Sequence, residues 1–205
     1  FADANRDEHY LKKRQDTVII GMDIKRASPH AFCKSMNSAT IQEGFDLLLT
    51  DIGESYVVAV GTNGGQALLE KYALSRAATK EEIGKRAEVQ GKIPYMFSLN
   101  TVHTPYEELP KLLADHEESK LFAELAEKCF SCGSCNLVCP TCYCFDVQDD
   151  MALNLSAGER FRLWDGCLLD GFAKVATGEN FREDRTERIR HRIFRKGKYI
   201  YEKYG

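Results

Sequence analysis

The stretch CFSCGSCNLVCP, residues 129–140, decides how this chain folds and what it holds. It places four cysteines in the spacing C-x2-C-x2-C-x3-C-P: Cys129, Cys132, Cys135 and Cys139. This spacing is typical of a loop that binds a [4Fe–4S] cluster, with three thiolates on one cube and the fourth commonly on another. Gly133 and Ser134 stand where such a loop must turn sharply, because small residues suit a tight turn. The motif predicts at least one [4Fe–4S] cluster and indicates a second.

Zinc and disulfide bonds explain the same spacing less well. Structural zinc sites usually pair two C-x2-C units that lie far apart along the chain, whereas here three cysteines crowd into one turn. Disulfide bonds between cysteines so close in sequence are geometrically unfavourable, and the charged composition is not that of a small secreted scaffold. The iron–sulfur interpretation is therefore the favoured one.

Four further cysteines complete the total of eight: Cys33, Cys142, Cys144 and Cys167. Cys142 and Cys144 come directly after Pro140, and one cube needs four ligands. We hypothesise that these four thiols form a separate cluster site, with Cys33 folding back onto the C-terminal region. The alternative is that Cys33 and Cys167 are small buried apolar residues, as unpaired cysteines often are.

The composition indicates a soluble protein of one large or two small domains. The 205 residues are 43% hydrophobic and 29% charged, and the net charge of −3 predicts no general attraction to nucleic acid. No apolar run approaches the ~20 residues that span a bilayer. Eight cysteines without a secretory signal favour a reducing, cytoplasmic location. Because the chain begins at Phe1 rather than methionine, we expect it to be a fragment of a longer protein.

Two regions of different character follow one another, and together they predict an α+β fold. Residues 1–117 indicate a mixed α/β domain, truncated at its N-terminus. Residues 118–205 indicate a ferredoxin-like, largely helical iron–sulfur domain with a basic C-terminal segment. In this second region cysteines, short loops and isolated helical pieces replace strand patterns, because metal ligation substitutes for part of a hydrophobic core.

Local patterns predict the elements of the first region and the entry to the second. The expected elements are a strand at 17–21, a helix from Ser28-Pro29 that carries Cys33, a hairpin of 45–50 with 56–60, and helices at 4–15, 66–76, 79–89, 105–113 and 118–128. Thr79 and Glu82 form a capping box at the start of the helix over 79–89. The last helix leads the chain into Cys129.

The segment over residues 181–203 is strongly basic. If it is helical, four of its arginines share one face: Arg185, Arg188, Arg192 and Arg195. A solvated helix face is the ordinary interpretation of such a pattern. Two functional interpretations stay open, namely stabilisation of a nearby anionic cluster and docking of an acidic partner.

No catalytic constellation is evident, and no catalytic residue is expected. The five histidines show no metal-ligand spacing, and no Ser/His/Asp, Cys/His or acid–base pair stands out. Trp164, close to Cys167, is expected to pack against a cluster or the core.

Longer stretches of the chain resemble one known family. The segments CFSCGSCNLVCPTCYCFDVQD, RLWDGC and NFREDRTERIRHR are similar to the iron–sulfur subunit shared by two kinds of enzyme, cytosolic nickel–iron sulfhydrogenases, where it is the beta subunit, and anaerobic sulfite reductases. FCKSM and GFDLLLTDIGESYVVAVG agree upstream. The resemblance implies an electron-transfer subunit of an anaerobic oxidoreductase complex. Its implied partners are a flavin subunit that handles NAD(P)H and a catalytic subunit such as a hydrogenase or sulfite reductase.

The resemblance also bears on the cluster ligands and on the alternatives. Members of that family usually continue into a second C-x2-C-x2-C-x3-C-P run, which would follow Gly205. If that run exists, Cys139 belongs to another cube; if it does not, Cys139 closes the cube of the first three cysteines. Two other functional classes stay open: an enzyme whose cluster binds substrate, and a structural module that its cluster holds together.

Overall fold

The computed structural model describes residues 6–204, which form two compact units that divide between Tyr106 and Glu107. Helices and strands are both present, so the fold is α+β as predicted. None of the helices in residues 6–204 combines the length and apolarity needed to cross a bilayer.

The first unit is built on a small mixed sheet with helices around it. Its elements are α1 (Glu8–Gln15), β1 (Ile20–Met22), β2 (Leu47–Asp51), β3 (Tyr56–Val60), α2 (Asn63–Tyr72) and α3 (Lys80–Lys92), with 3₁₀ turns at Cys33–Met36 and Ile93–Phe97. The sheet has the order β1-β2-β3, with β1 parallel to β2 and β2 antiparallel to β3. The predicted hairpin is therefore confirmed, while the first strand begins later than expected.

Hydrogen bonds of side chains fix α3 at its start and tie it to the sheet. The Thr79 hydroxyl accepts from the Glu82 N–H, and the Glu82 carboxylate accepts from the Thr79 N–H, so the predicted capping box is confirmed. The Thr50 hydroxyl of β2 is fully buried and donates to the Asp23 carboxylate at 2.6 Å. The Gln90 amide of α3 donates to the same carboxylate oxygen at 3.0 Å.

The predicted helix from Ser28-Pro29 is wrong. The chain forms only the 3₁₀ turn Cys33–Met36, with Cys33 half-buried at its first position. Asn37 follows in the left-handed region, at φ 49°. Asparagine tolerates that conformation, which stops a helix after a single turn.

The second unit is mainly helical but also contains a long hairpin. Its elements are α4 (Leu109–Asp115), α5 (Leu121–Lys128), α6 (Ser134–Leu137), β4 (Phe145–Met151), β5 (Gly158–Trp164), α7 (Arg185–Phe194) and α8 (Ile200–Tyr204), with a 3₁₀ turn at Asp170–Ala173. A further 3₁₀ turn, Tyr106–Glu108, stands at the division between the units. A π-helical turn, Arg195–Tyr199, joins α7 to α8.

Helix packing supplies the core of this unit. The buried rings of Phe122 in α5 and Phe194 in α7 meet edge to face, with centroids 6.1 Å apart. α4 packs against the π-helical turn, so it belongs to the second unit although it precedes the boundary predicted between residues 117 and 118. The domain assignment itself stays a prediction.

The β4–β5 hairpin corrects the expectation that strand patterns end near residue 120. The two strands pair antiparallel from Phe145 opposite Trp164 to Met151 opposite Gly158. Nearly every residue of the hairpin is exposed, so neither strand shows the alternation of apolar and polar residues that marks a half-buried strand. Trp164 is 62% exposed, so it does not pack in the core, and its expected packing against a cluster stays a prediction.

Candidate iron–sulfur site

The first cysteine loop leaves the end of α5 and is anchored to α7. α5 buries Phe122 and Ala126, and this fixes the point at which Cys129 emerges as the residue that ends the helix. The Arg185 guanidinium of α7 donates to the Cys129 carbonyl at 2.9 Å. The loop therefore starts from a packed helix rather than from a free segment.

The loop turns through two left-handed residues, Ser131 at φ 53° and Gly133 at φ 72°. This turn directs the Ser131 N–H toward the preceding thiol, and it donates to the Cys129 sulfur at 3.3 Å. Amide donors of this kind stabilise a thiolate and tune a cluster bound by it.

Replacing Gly133 with alanine is expected to destabilise the chain by about 1–2 kcal/mol, the usual cost of a left-handed residue with a Cβ. The new Cβ would also lie 2.9 Å from Leu169 Cδ2. Gly171→Ala is the matched control, since a Cβ there would meet nothing within 4 Å and its φ is not positive. Equilibrium unfolding in denaturant under anaerobic conditions measures both variants. Equal losses would contradict the prediction.

The short helix α6 carries the next two residues of interest, Cys135 and Asn136. Cys132, just before it, is exposed and lies 3.4 Å from the Ser134 hydroxyl. Hydrogen bonds from that hydroxyl and from the Ser134 N–H lower the pKa of the Cys132 thiol. The first three cysteines of the motif thus share one loop, and hydrogen bonds from Ser134 favour the thiolate form of Cys132.

Cys139 turns toward the later cysteines. Its sulfur lies 3.2 Å from the Thr141 hydroxyl, and the Lys196 ammonium donates both to that hydroxyl, at 2.8 Å, and to the Cys142 sulfur, at 3.3 Å. Burial raises the pKa of Cys139, but hydrogen bonds from Thr141, the Lys196 charge and a hydrogen bond with Cys142 outweigh it and bring the pKa to about 7.

The β4–β5 hairpin brings Cys144 and Cys167 to one place. Cys144 directly precedes β4, and Cys167 follows β5 by a short turn. The Asp165 N–H donates to the Cys144 carbonyl at 3.3 Å, which closes the open end of the hairpin. Burial raises the pKa of both thiols, and the neighbouring Cys167 and Cys142 raise the pKa of Cys144 further.

Asn136 lies among a second group of thiols, which consists of Cys139, Cys142, Cys144 and Cys167. It is 4% exposed, and its Oδ1 is 4.0 Å from the sulfurs of both Cys142 and Cys167. The same oxygen accepts from the Arg192 guanidinium. Gly166 makes room for the amide, because a Cβ at that position would overlap Asn136 Nδ2. One buried amide therefore links two thiols and a cation.

The donor set suits a [4Fe–4S] cluster. All eight cysteines, which lie within the described chain, are free thiols, and seven of them are in the second unit. Crowded thiols that disfavour one another's ionisation are stabilised as thiolates by a metal centre. Among residues 6–204, no three Cys, His, Asp or Glu side chains are close enough to hold a metal ion. Binding of metal and local ordering are coupled at thiolate sites, so we expect the ligand geometry to be completed by the cluster.

Comparison with known proteins agrees with an iron–sulfur cofactor. Residues 128–205 match the family model of the 4Fe-4S dicluster domain. Over 191 residues, 92% of its length, the chain is 32% identical to sulfhydrogenase 2 subunit beta of Pyrococcus furiosus. The chain is thus similar to that subunit over nearly its whole length. It spans 55% of the relative's length, and no solved structure matches it.

The comparisons confirm the predicted family resemblance and the predicted cofactor. The dicluster domain carries two [4Fe–4S] clusters, which is more than the single cube that the first cysteine run requires. The individual ligands stay predictions. Cys33 lies in the first unit, so its hypothesised membership of the second ligand set also stays a prediction.

Sequence reasoning missed three polar residues of the site: Thr141, Asn136 and Lys196. Asn136 stands inside the cysteine motif, and Lys196 stands in the basic segment, but nothing in their spacing marks them. Among the contacts within residues 6–204, Arg192 is the one of the four predicted arginines that donates to a cysteine sulfur, and Arg185 donates to a cysteine carbonyl.

Proposed function

We propose that this chain relays single electrons through two [4Fe–4S] clusters, between a flavin subunit that handles NAD(P)H and a catalytic subunit such as a hydrogenase or sulfite reductase. The match of residues 128–205 to the dicluster domain carries the proposal. The relative is itself one subunit of a sulfhydrogenase, which supports a role in a redox complex. On this proposal the chemistry on substrate belongs to the partners.

The contacts support a division of the cysteines between the two clusters. Cys129, Cys132 and Cys135 share the first loop and would hold one cluster. The other cluster would be held by the second group of thiols, Cys139, Cys142, Cys144 and Cys167. These thiols contact Thr141, Lys196 or Asn136, or lie at the end of the β4–β5 hairpin. Cys33 is the competing fourth ligand of that second set. The family resemblance implies a further cysteine run, which would complete the first set.

When bound, each cluster supplies one-electron chemistry. The residues of this chain position the clusters and set their potentials. The thiolates fix the position of each cluster, the Ser131 N–H donates to a ligand sulfur, and Lys196 and Arg192 place positive charge beside Cys142. Hydrogen bonds, burial and charge are the means by which a protein sets a cluster's potential.

Anaerobically prepared protein is expected to show two reversible one-electron transitions in a potentiometric titration followed by EPR. Two clusters in an electron relay must both be reducible in a useful range. A chain that carries iron and sulfide but shows no reducible signal would support the structural module instead. A signal of the second cluster altered by a small added ligand such as cyanide would support an enzyme with an open iron site, because the relay proposal gives that cluster four thiolates of this chain.

A further inference from the structure

Two cations of the basic segment face the second group of thiols. Arg192 stands in α7, and Lys196 stands in the π-helical turn that follows it. The Lys196 ammonium is 3.3 Å from the Cys142 sulfur, and the Arg192 guanidinium is 3.9 Å from it. Arg192 also donates to the Cys135 carbonyl at 3.2 Å and to Asn136 Oδ1.

Other cations of the same segment are neutralised elsewhere. Arg188, Arg190 and Lys198 form ion pairs with Asp170, Glu118 and Glu202, at 2.8, 3.2 and 2.6 Å respectively. Within the described residues, neither Arg192 nor Lys196 forms an ion pair with a carboxylate. Their neighbours are instead thiols, a hydroxyl, an amide oxygen and a backbone carbonyl. Their charges are therefore available to an anion at the cysteines.

Asn136 and Thr141 hold these two cations in place. Asn136 is buried and accepts from Arg192, while Thr141 accepts from Lys196 and contacts the Cys139 sulfur. Both residues belong to the stretch that carries the cysteines. The cations are thus positioned by the cluster-binding segment itself, rather than extended freely from the helix surface.

We propose that Arg192 and Lys196 form a cationic clamp that raises the reduction potential of the cluster bound by Cys142 and Cys167. This inference rests on the proposed function, because it requires a reducible cluster at these thiols. A cube with four thiolates is anionic, and taking up one electron adds one negative charge. Fixed positive charges close to the ligands stabilise the reduced form more than the oxidised form.

The test compares charge removal inside the clamp with the same charge removal outside it. Lys196→Met and Arg192→Gln remove the clamp charges, and Lys198→Met and Arg190→Gln remove equal charges from neighbouring positions. Potentiometric EPR on the anaerobic protein is expected to show that either clamp variant lowers the equilibrium constant for reducing one cluster about tenfold. That change equals about 59 mV for one electron. Both controls and Lys196→Arg should keep the wild-type potential.

Several outcomes would overturn the proposal. Clamp variants and controls that titrate alike would show that these charges do not act on a cluster specifically. Loss of a cluster in both Lys196→Met and Arg192→Gln, with full retention in the controls, would show a structural role in place of tuning. If wild-type protein has no reducible cluster, the proposed function fails first. If wild-type titrates and the clamp variants titrate identically to it, only this inference fails.

Discussion

Cys132→Ala is expected to remove about half of the iron and acid-labile sulfide from the anaerobically prepared chain, because one of two cubes loses a ligand. The first loop offers no substitute, since Cys129 and Cys135 are the other thiols of that loop and both are already assigned. Cys132 is exposed, so its truncation leaves no cavity in the core. Iron and sulfide assays, with EPR of the reduced protein, measure the result.

Ser134→Ala is the matched control for this variant. It removes a hydroxyl 3.4 Å from the Cys132 sulfur and leaves every thiol in place. Its iron and sulfide content should equal that of wild type, with at most a small change in potential. Full iron content in Cys132→Ala would contradict the assignment of the first loop to a cluster.

Cys139→Ser and Cys167→Ser are each expected to abolish the second cluster, whereas Cys33→Ser is expected to leave both clusters intact. We expect this because contacts in the second unit link these thiols. Cys139 contacts Thr141, which accepts from Lys196, and Lys196 also donates to Cys142. Asn136 Oδ1 is 4.0 Å from the sulfurs of both Cys142 and Cys167. A cube that loses one of four thiolate ligands is bound far less tightly.

The three serine variants are compared by iron content and by the EPR signals that survive reduction. Serine is close to cysteine in size, so Cys167→Ser leaves no large cavity at this buried position. Loss of a cluster in Cys33→Ser with retention in Cys139→Ser would contradict the prediction. Cys33 rather than Cys139 would then be the fourth ligand of the second cluster, as hypothesised from the sequence. Loss of a cluster in all three would show that Cys33 and Cys139 serve different clusters.

The cysteine spacing was sufficient to predict the cofactor, because ligand chemistry depends on residue type and local distance along the chain. The hairpin of β2 and β3 and the capping box at Thr79 were predictable for a similar reason, since each is a local pattern with its own physical cause. These features need no knowledge of distant contacts.

Features that depend on distant contacts were missed. Cys144 and Cys167 come together because β4 pairs with β5, and that hairpin has no amphipathic pattern to reveal it. Likewise, the helical spacing of arginines predicted a shared face but not which cation meets a thiol. Lys196 lies in the π-helical turn and outside the predicted arginine face. Turns of this kind interrupt regular helices, often at functional sites, and spacing rules do not reveal them.

The exposed end of the hairpin has a practical consequence. Trp164 is the chain's single tryptophan, and it stands beside the turn that leads to Cys167, in the same unit as six other cysteines. Iron–sulfur clusters absorb at the wavelengths at which indole emits, so a bound cluster is expected to quench the fluorescence of Trp164 by energy transfer. The intensity of that fluorescence therefore reports how much of the protein carries its clusters. Fluorescence that brightens as the clusters are lost would follow their decay in air, without labels and in real time.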